Sequence, residues 1–157
     1  MPIHTYDVQL KWTGNRGSGT MDYRAYTRDH EISAAGKQII LPGSSDPAFR
    51  GDPSRYNPEE LLVASLSACH MLWYLHLCAV NEVIVLQYED QAVGQMKEAK
   101  GEAGHFTEVT LRPNIKVAKT SMIEKAQSLH HDANRLCYIA NSVNFEVKHE
   151  PTIVAEE

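Results

Sequence analysis

The sequence has no surplus of positive charge, and only three cysteines occur in its 157 residues. Because 15 Lys and Arg face 20 Asp and Glu, the net charge is −5, which disfavours nucleic acid or an anionic membrane as the main partner. The chain also lacks internal repeats, low-complexity segments and a recognisable linker. These absences predict a single domain over residues 1–157, which is long enough to bury a substantial core.

The N-terminus lacks the features of a secretory signal. The run Met1-Pro2-Ile3-His4 has no basic start and no apolar stretch directly after it. A structural disulfide framework is then not expected, because such frameworks belong to oxidising compartments. The sequence therefore predicts a cytoplasmic protein whose cysteines are free thiols, redox-active thiols or metal ligands.

Apolar periodicity predicts an α+β domain with antiparallel sheet. Strands are expected at 4–12, 21–28, 38–41, 83–93, 106–117 and 143–147. A second helix is expected to begin at Ser121, because Ser121 and Glu124 have the spacing of a capping box. The acidic tail is expected to fray. The resulting order, βββ-α-ββ-α-β, is typical of the α+β class.

The most informative segment is an apolar helix with a well-marked start, expected over residues 58–79. Asn57-Pro58-Glu59-Glu60 combines a favoured N-cap, a proline suited to the first helical position and two acids at the positive end of the helix dipole. Residues 61–80 are almost wholly apolar. The helix is therefore predicted to be covered by protein on most sides rather than to span a membrane.

Helical spacing separates the three cysteines. Cys69 and Cys78 lie nine positions apart on one helix, so they point to opposite faces and cannot form a disulfide unless the helix unwinds. Cys78 is expected to be a small core residue. Cys137 is expected at the end of the second helix, where access is greater. Cys69 and Cys137 are therefore the candidate redox pair, and two inert buried thiols are the alternative.

Several histidines lie near these cysteines. His130 and His131 precede Cys137 by one to two turns, and His70 adjoins Cys69. A zinc site or a cysteine hydrolase built from these residues is conceivable. However, the chain has no Cys-x-x-Cys or His-x-x-x-His spacing and no recognisable oxyanion hole, and adjacent helical histidines are typical of a solvated face. No metal or other cofactor is therefore expected.

Four features together resemble the OsmC/Ohr family of thiol peroxidases. They are the run Asn57-Pro58-Glu59-Glu60-Leu61, the cysteine ten residues after Glu59, the turn Trp12-x-Gly14-x-Arg16-Gly17-x-Gly19-Thr20, and the late Cys137. The resemblance covers nearly the whole chain and keeps the order of elements. It implies an intertwined α+β homodimer with two active sites at the subunit interface. It also implies that organic hydroperoxides are reduced by two cysteines, as part of a defence against oxidative stress.

The resemblance also implies roles for single residues. Cys69 matches the peroxidatic cysteine, Cys137 the resolving cysteine, Arg16 the catalytic arginine, and Glu59 the glutamate that orients the arginine. Those roles agree with the chemistry, since a guanidinium favours the nucleophilic thiolate and a carboxylate can fix the guanidinium fork. The implied reductant is a lipoyl group or a small thiol, with no haem, flavin or metal. Four other arginines compete with Arg16 for its role: Arg24, Arg28, Arg50 and Arg55.

The sequence departs from the family pattern after the second cysteine, where Tyr138 replaces a common proline. The Cys69 helix also has an aromatic and polar lining, formed by His70, Trp73, Tyr74 and His76. These departures leave open a second interpretation, a non-enzymatic dimer of the same fold that binds a small hydrophobic ligand or acts as a redox sensor.

The positions of Glu59 and Cys69 carry a geometric constraint. On one continuous helix these two residues would be roughly 15 Å apart and out of phase. They cannot meet within one chain unless the first turn of the helix unwinds. Each active site is therefore expected to combine groups from two chains.

Overall fold

The computed structural model describes residues 1–157 and confirms the predicted α+β class. Helix α1 spans Pro58–Val80 and helix α2 spans Ile123–Leu136. The strands are β1 Gln9–Trp12, β2 His30–Ser33, β3 Leu41–Gly43, β4 Val85–Asp90, β5 Val93–Ala99, β6 Glu102–Leu111, β7 Pro113–Val117, β8 Glu146–His149 and β9 Thr152–Ala155. The chain divides into two compact units, Met1–Leu61 and Leu62–Glu157. The single domain over residues 1–157 stays a prediction.

The first unit contains one antiparallel sheet, in the order β1-β2-β3. The predicted return strand at 21–28 is wrong, because side chains fold this segment into turns. Asp22 accepts a hydrogen bond from the Arg24 N–H at 2.7 Å, and the Arg28 guanidinium donates to the Tyr23 and Tyr26 carbonyls at 2.8 and 2.9 Å. Such local bonds compete with a strand ladder. The strand that pairs with β1 is therefore β2.

The sheet of the first unit has almost no core within one chain. The fully buried residues of this unit are small or polar: Gly14, Gly43, Ser44 and Asn57. In contrast, the alternating apolar side chains of the N-terminal segment are exposed: Tyr6, Val8, Leu10 and Trp12. A three-stranded sheet gains stability chiefly by burying one apolar face. In this sheet the apolar face is not covered by other residues of the chain.

The second unit contains two three-stranded sheets, ordered β4-β7-β9 and β5-β6-β8. Each sheet combines an antiparallel pair with a parallel pair, so the sheets are mixed rather than purely antiparallel. The strand expected at 83–93 ends as β4 at Asp90, and a separate strand, β5, begins at Val93. The strand expected at 106–117 is divided into β6 and β7. The Asp90 carboxylate accepts a hydrogen bond from the Arg112 N–H at 2.7 Å. This bond ties together the points where the chain passes from one sheet to the other.

The C-terminal tail is ordered, so the expectation that it frays is wrong. Strand β9 pairs in parallel with β7, and the Glu156 N–H donates to the Val117 carbonyl at 2.9 Å. Ile153 and Ala155 also pack against the larger core cluster of the unit. The acidic residues at 156–157 led to the expectation of a frayed tail, but the residues before them form a strand whose alternate side chains are apolar.

The predicted start of α1 is confirmed. The Asn57 side chain accepts from the Glu60 N–H at 2.9 Å, and the Glu60 carboxylate accepts from the Asn57 N–H at 3.1 Å, which completes a capping box. At the other end, Glu82 adopts a left-handed conformation with φ 59°, so the chain leaves the helix there. The predicted start of α2 is not confirmed. A 3-10 turn over Thr120–Met122 precedes α2, and no side chain caps it.

Helix α1 is covered on one face in a single chain, not on most sides as the sequence predicted. Its buried residues recur every four positions: Leu66, His70, Tyr74 and Cys78. The opposite row is exposed and mostly apolar: Ala64, Ala68, Leu72 and His76. By length and composition α1 could also span a membrane, and 22% of that stretch is buried. Core helices meet the same criterion, so this property alone assigns no membrane.

Candidate active site

The predicted redox pair is brought together inside the second unit. Cys69 lies on α1 and is half-buried, whereas Cys137 caps the C-terminus of α2 and is 1% exposed. The two thiols are neighbours, and Cys69 is close enough to contribute to the raised pKa of the Cys137 thiol. Cys78 lies in the core beside Tyr74 and is 1% exposed, which confirms its expected place in the core. All three cysteines are free thiols, so Cys69 and Cys137 form an open dithiol.

The turn that follows α2 fixes Cys137. The Ala140 N–H donates to the Cys137 sulfur at 3.4 Å, and the Asn141 side chain donates to the Cys137 carbonyl at 2.9 Å. The Ser142 hydroxyl donates to the Tyr138 carbonyl at 2.7 Å. The sequence predicted greater access for Cys137 because helix ends are mobile. That expectation is wrong, since these bonds fold the turn over the sulfur.

Burial raises the pKa of the Cys137 thiol to about 11, partly opposed by the hydrogen bond from the Ala140 N–H, and the neighbouring Cys69 adds a smaller upward contribution. Cys137 is therefore protonated at neutral pH. A protonated, covered thiol is a poor first nucleophile towards a peroxide, because the thiolate is the reactive form. Of the two sulfurs, Cys69 is the one placed to meet a substrate first.

Aromatic side chains line the exposed side of α1 next to Cys69. Trp73 lies one helical turn after Cys69 and contacts Tyr138 edge to face, with ring centroids 5.4 Å apart. His76 meets the Trp73 ring in the same manner at 5.9 Å. Leu72, Trp73 and His76 border a shallow concavity of about 250 Å³. The half-buried sulfur thus lies beside an apolar, aromatic surface.

Two buried histidines join α1 to α2, and the sequence did not predict that they are buried and paired. His70 is 1% exposed and His130 is fully buried, and their Nε2 and Nδ1 atoms are 3.0 Å apart. Tyr74 stacks on the His130 ring at 3.9 Å and donates its hydroxyl to the Ala126 carbonyl at 3.0 Å. The expectation of a solvated histidine face is therefore wrong for His130, whereas His131 is exposed. The four-residue spacing of His70 with Leu66, Tyr74 and Cys78 could have revealed this buried row.

Burial keeps both rings neutral. Burial, with a smaller contribution from the neighbouring histidines, lowers the pKa of His70 to about 4 and that of His130 to about 3. The third ring of the cluster, His149, has its pKa lowered by burial as well. None of the histidine, cysteine, aspartate and glutamate side chains forms a group of three that could hold a metal ion.

Arg16 and Glu59 belong to the first unit. Arg16 is exposed in a turn that the Asn15 side chain organises by accepting from the N–H groups of Gly17 and Gly19 at 2.9 and 3.0 Å. Glu59 is half-buried in the first turn of α1. Two competing arginines have other partners. Arg28 is held by backbone carbonyls, and Arg55 donates to the Gly43 carbonyl at 3.0 Å. The roles of Arg16 and Glu59 stay predictions.

The second unit thus defines an α+β protein that carries an open dithiol between its two helices. The profile of the family described as OsmC-like protein matches residues 51–152, and the chain belongs to that family. None of the curated proteins matches the sequence. The family resemblance drawn from the sequence is therefore confirmed.

Solved structures agree with this assignment. An OsmC-like protein of unknown function from Vibrio cholerae O1 biovar eltor has 29% identity, a TM-score of 0.86, and coverage of 96% of this chain and 100% of its own. An organic hydroperoxide resistance protein from Elizabethkingia anophelis has 18% identity and a TM-score of 0.68, with 98% and 99% of the two chains covered. A similar protein from Legionella pneumophila has 14% identity and a TM-score of 0.64, with 96% and 98% covered. The last two likenesses show the fold alone.

Acid should destabilise the protein through the buried histidines. The unfolded chain binds protons on His70 and His130 below about pH 6.5, whereas the folded chain resists protonation down to about pH 4 or below. The free energy of unfolding is therefore retained above pH 6.5 and should fall as the pH drops from 6.5 towards 4, by up to about 1.4 kcal/mol per pH unit for each histidine. Urea unfolding at fixed protein concentration between pH 7.5 and 5 measures this slope.

His130→Phe keeps a flat ring on Tyr74 and should reduce the slope. The matched control, exposed His105→Gln, should leave it unchanged. A free energy of unfolding that stays constant from pH 7 to 5 in the unmodified protein contradicts the assignment of neutral rings.

Proposed function

We propose that the protein is a thiol-dependent peroxidase that reduces organic hydroperoxides with Cys69 and Cys137. The observation that carries the proposal is the contact between a half-buried thiol on α1 and a covered, protonated thiol at the end of α2. Family membership supports it, and so do structurally similar proteins named for organic hydroperoxide resistance. A cytoplasmic location goes with it, because a reducing compartment keeps both thiols available.

The chemistry proceeds in three balanced steps. The Cys69 thiolate attacks one peroxide oxygen, the O–O bond breaks, and the alkoxide leaves and takes up a proton, which makes an alcohol and a Cys69 sulfenic acid. The Cys137 thiol then attacks the sulfenic sulfur, expels water and forms the Cys69–Cys137 disulfide. A dithiol, which we propose to be a lipoyl group, finally reduces the disulfide. The aromatic surface around Trp73 favours organic peroxides over small polar ones.

The same proposal gives Arg16 and Glu59 their roles. A guanidinium beside Cys69 would stabilise the thiolate and the charge that develops on the departing alkoxide. A carboxylate that binds the guanidinium through two hydrogen bonds would hold it in place. Helix α1 is unbroken, and ten residues of helix rise about 15 Å, so Glu59 would serve the Cys69 of a second copy.

The uncovered surfaces support a homodimer as part of the proposal. The first unit exposes the apolar face of a sheet that has almost no core, and α1 exposes the mostly apolar row 64–76. Contiguous apolar surface of this kind is unusual on a monomer and marks an interface. A second copy of the chain has the same two surfaces, so in a two-fold symmetric dimer each copy can cover the surfaces of the other.

One observation supports a second candidate function. The concavity beside Leu72 could hold a small hydrophobic ligand, and Leu72 itself is 63% exposed. The protein would then be a binding or redox-sensing dimer without turnover. The two candidates differ in a single respect, the catalytic consumption of peroxide.

Replacement of either paired cysteine should abolish turnover. With cumene hydroperoxide and dihydrolipoamide, Cys69→Ala should reduce peroxide consumption by at least about 1,000-fold, because the nucleophile is lost. Cys137→Ala should stop dithiol-dependent cycling while permitting one oxidation of Cys69. The matched control is Cys78→Ala, which removes a core thiol and should keep the turnover. Consumption that persists in Cys69→Ala contradicts the mechanism, and an inactive unmodified protein favours the binding dimer.

Mixed dimers test whether Glu59 acts across the interface. Cys69→Ala and Glu59→Gln homodimers should each be severely impaired. A hybrid with one chain of each kind should regain about half the activity of the unmodified dimer, because one of its two sites then holds both native groups. Differently tagged chains, coexpressed and purified in tandem, provide the hybrid. If the hybrid is no more active than the two parents, Glu59 acts within its own chain or not at all.

A further inference from the structure

We propose that Tyr138 controls the reduction half of the cycle: its ring, packed against Trp73, keeps the turn at 137–142 closed over the Cys137 sulfur, so a reducing dithiol reaches that sulfur only when the turn opens. This inference rests on the proposed function, because it concerns the disulfide which that function forms. It gives a role to the residue at which this chain departs most clearly from the family pattern.

Tyr138 connects the two elements that carry the sulfurs, helix α1 and the turn that follows α2. Trp73 follows Cys69 by one turn of α1, and Tyr138 directly follows Cys137. Their edge-to-face contact, with centroids 5.4 Å apart and planes at 79°, joins these elements. Aromatic pairs of this kind contribute stability beyond the area that they bury.

Besides this contact and the sulfur itself, the turn has two kinds of tie: its own hydrogen bonds, and the packing of Ile139 and Ala140 against the core cluster that contains Leu66 of α1. The hydrogen bonds of the turn are local, since Asn141 donates to the carbonyls of Arg135 and Cys137 and Ser142 donates to that of Tyr138. These bonds keep the shape of the turn but do not hold it against α1. Ile139 and Ala140 anchor the inner side of the turn, so the Trp73–Tyr138 contact controls how readily the exposed Tyr138 end of the turn separates from α1.

The two sulfurs of the disulfide are not equivalent targets for a reductant. Attack on the Cys69 sulfur would expel Cys137, whose buried thiol has its pKa raised to about 11 and makes a poor leaving group. Attack on the Cys137 sulfur expels Cys69 instead. For the first, intermolecular exchange the easier target is thus the covered sulfur, which is 1% exposed in the dithiol form, so access to it limits that exchange. Cys137 has to leave only in the second exchange, which is intramolecular within the mixed disulfide.

Reduction then proceeds in two exchanges. A thiolate of the dithiol attacks the Cys137 sulfur, the Cys69–Cys137 bond breaks, and the electron pair leaves on the Cys69 sulfur. The second thiol of the reductant then loses its proton and attacks the reductant sulfur that is bonded to Cys137, which closes a cyclic disulfide within the reductant and releases Cys137 as a thiolate that takes up a proton. Two electrons and two protons pass from the dithiol to the protein, and no other reactant is needed.

Tyr138 suits a kinetic role because its loss should leave the fold intact. The side chain is 69% exposed, so truncation creates no core cavity. Oxidation of Cys69 does not require the turn to open, because the Cys69 side chain is partly exposed whereas Cys137 is buried. Truncation of Tyr138 should therefore accelerate reduction and leave the first oxidation unchanged.

The test measures the two half-reactions separately. The disulfide is formed with diamide, which removes two hydrogens from the dithiol, and the oxidant is removed. Dihydrolipoamide is added, samples are quenched with acid, and free thiols are alkylated and counted by intact mass. Tyr138→Ala should be reduced about 2-fold to 10-fold faster than the unmodified protein, the range expected for the loss of one aromatic contact. Tyr138→Phe, which keeps the ring, should match the unmodified protein.

Two further measurements make the result specific. Trp73→Leu removes the other half of the contact and should accelerate reduction to a similar extent. The rate of Cys69 oxidation by cumene hydroperoxide should be the same in both Tyr138 variants and the unmodified protein. Equal reduction rates in Tyr138→Ala and the unmodified protein overturn the inference, and so does an equal acceleration in Tyr138→Phe.

Failure of the proposed function would appear elsewhere. A protein that forms the diamide disulfide but consumes no peroxide would not be a peroxidase, while its reduction rates would still decide the role of Tyr138. A protein in which diamide joins no Cys69–Cys137 pair would overturn both proposals.

Discussion

The contact between His70 and His130 is the constraint on which the rest of the second unit depends. A nitrogen of one ring lies 3.0 Å from a nitrogen of the other, and Tyr74 stacks on His130 while its hydroxyl binds the backbone of α2. An apolar contact between two helices can slide by a fraction of a turn, whereas a directional hydrogen bond in a buried site permits one register. Because His70 directly follows Cys69 and His130 precedes Cys137 by about two turns, that register also brings the two sulfurs together.

This arrangement has an energetic cost that identifies its purpose. Buried imidazoles must stay neutral, and the outer nitrogens of the pair, His70 Nδ1 and His130 Nε2, are buried without a hydrogen-bond partner. Leucines in their place would bury similar area without that cost but would not specify one alignment of α1 and α2. We infer that positional specificity, rather than stability, accounts for polar rings here. A dithiol needs such specificity, since a disulfide forms within a narrow range of distances.

The sequence predicted the parts of the site that depend on local chemistry. The capping box at Asn57 and Glu60 and the opposite faces of Cys69 and Cys78 follow from bonds and angles within one helix, and these are present. It did not predict the burial of His130, because the partner ring lies 60 residues away and only the packed structure brings it near. The missed turns at 21–28 have a related cause, since Arg28 organises carbonyls that a pattern of apolar residues does not reveal.

A single chain therefore contains a dithiol but leaves apolar surfaces uncovered. The proposed dimer would cover these surfaces and would place Glu59 of one copy near Cys69 of the other. The proposed function depends on the pairing of Cys69 with Cys137. That pairing is tested most directly by the mass of the protein after one equivalent of cumene hydroperoxide, followed by peptide mapping without reduction. We expect the loss of two hydrogens and one cross-linked peptide pair that contains Cys69 and Cys137, with Cys78 still free. A gain of one or more oxygens on Cys69 without a cross-link, or a disulfide that includes Cys78, would contradict it.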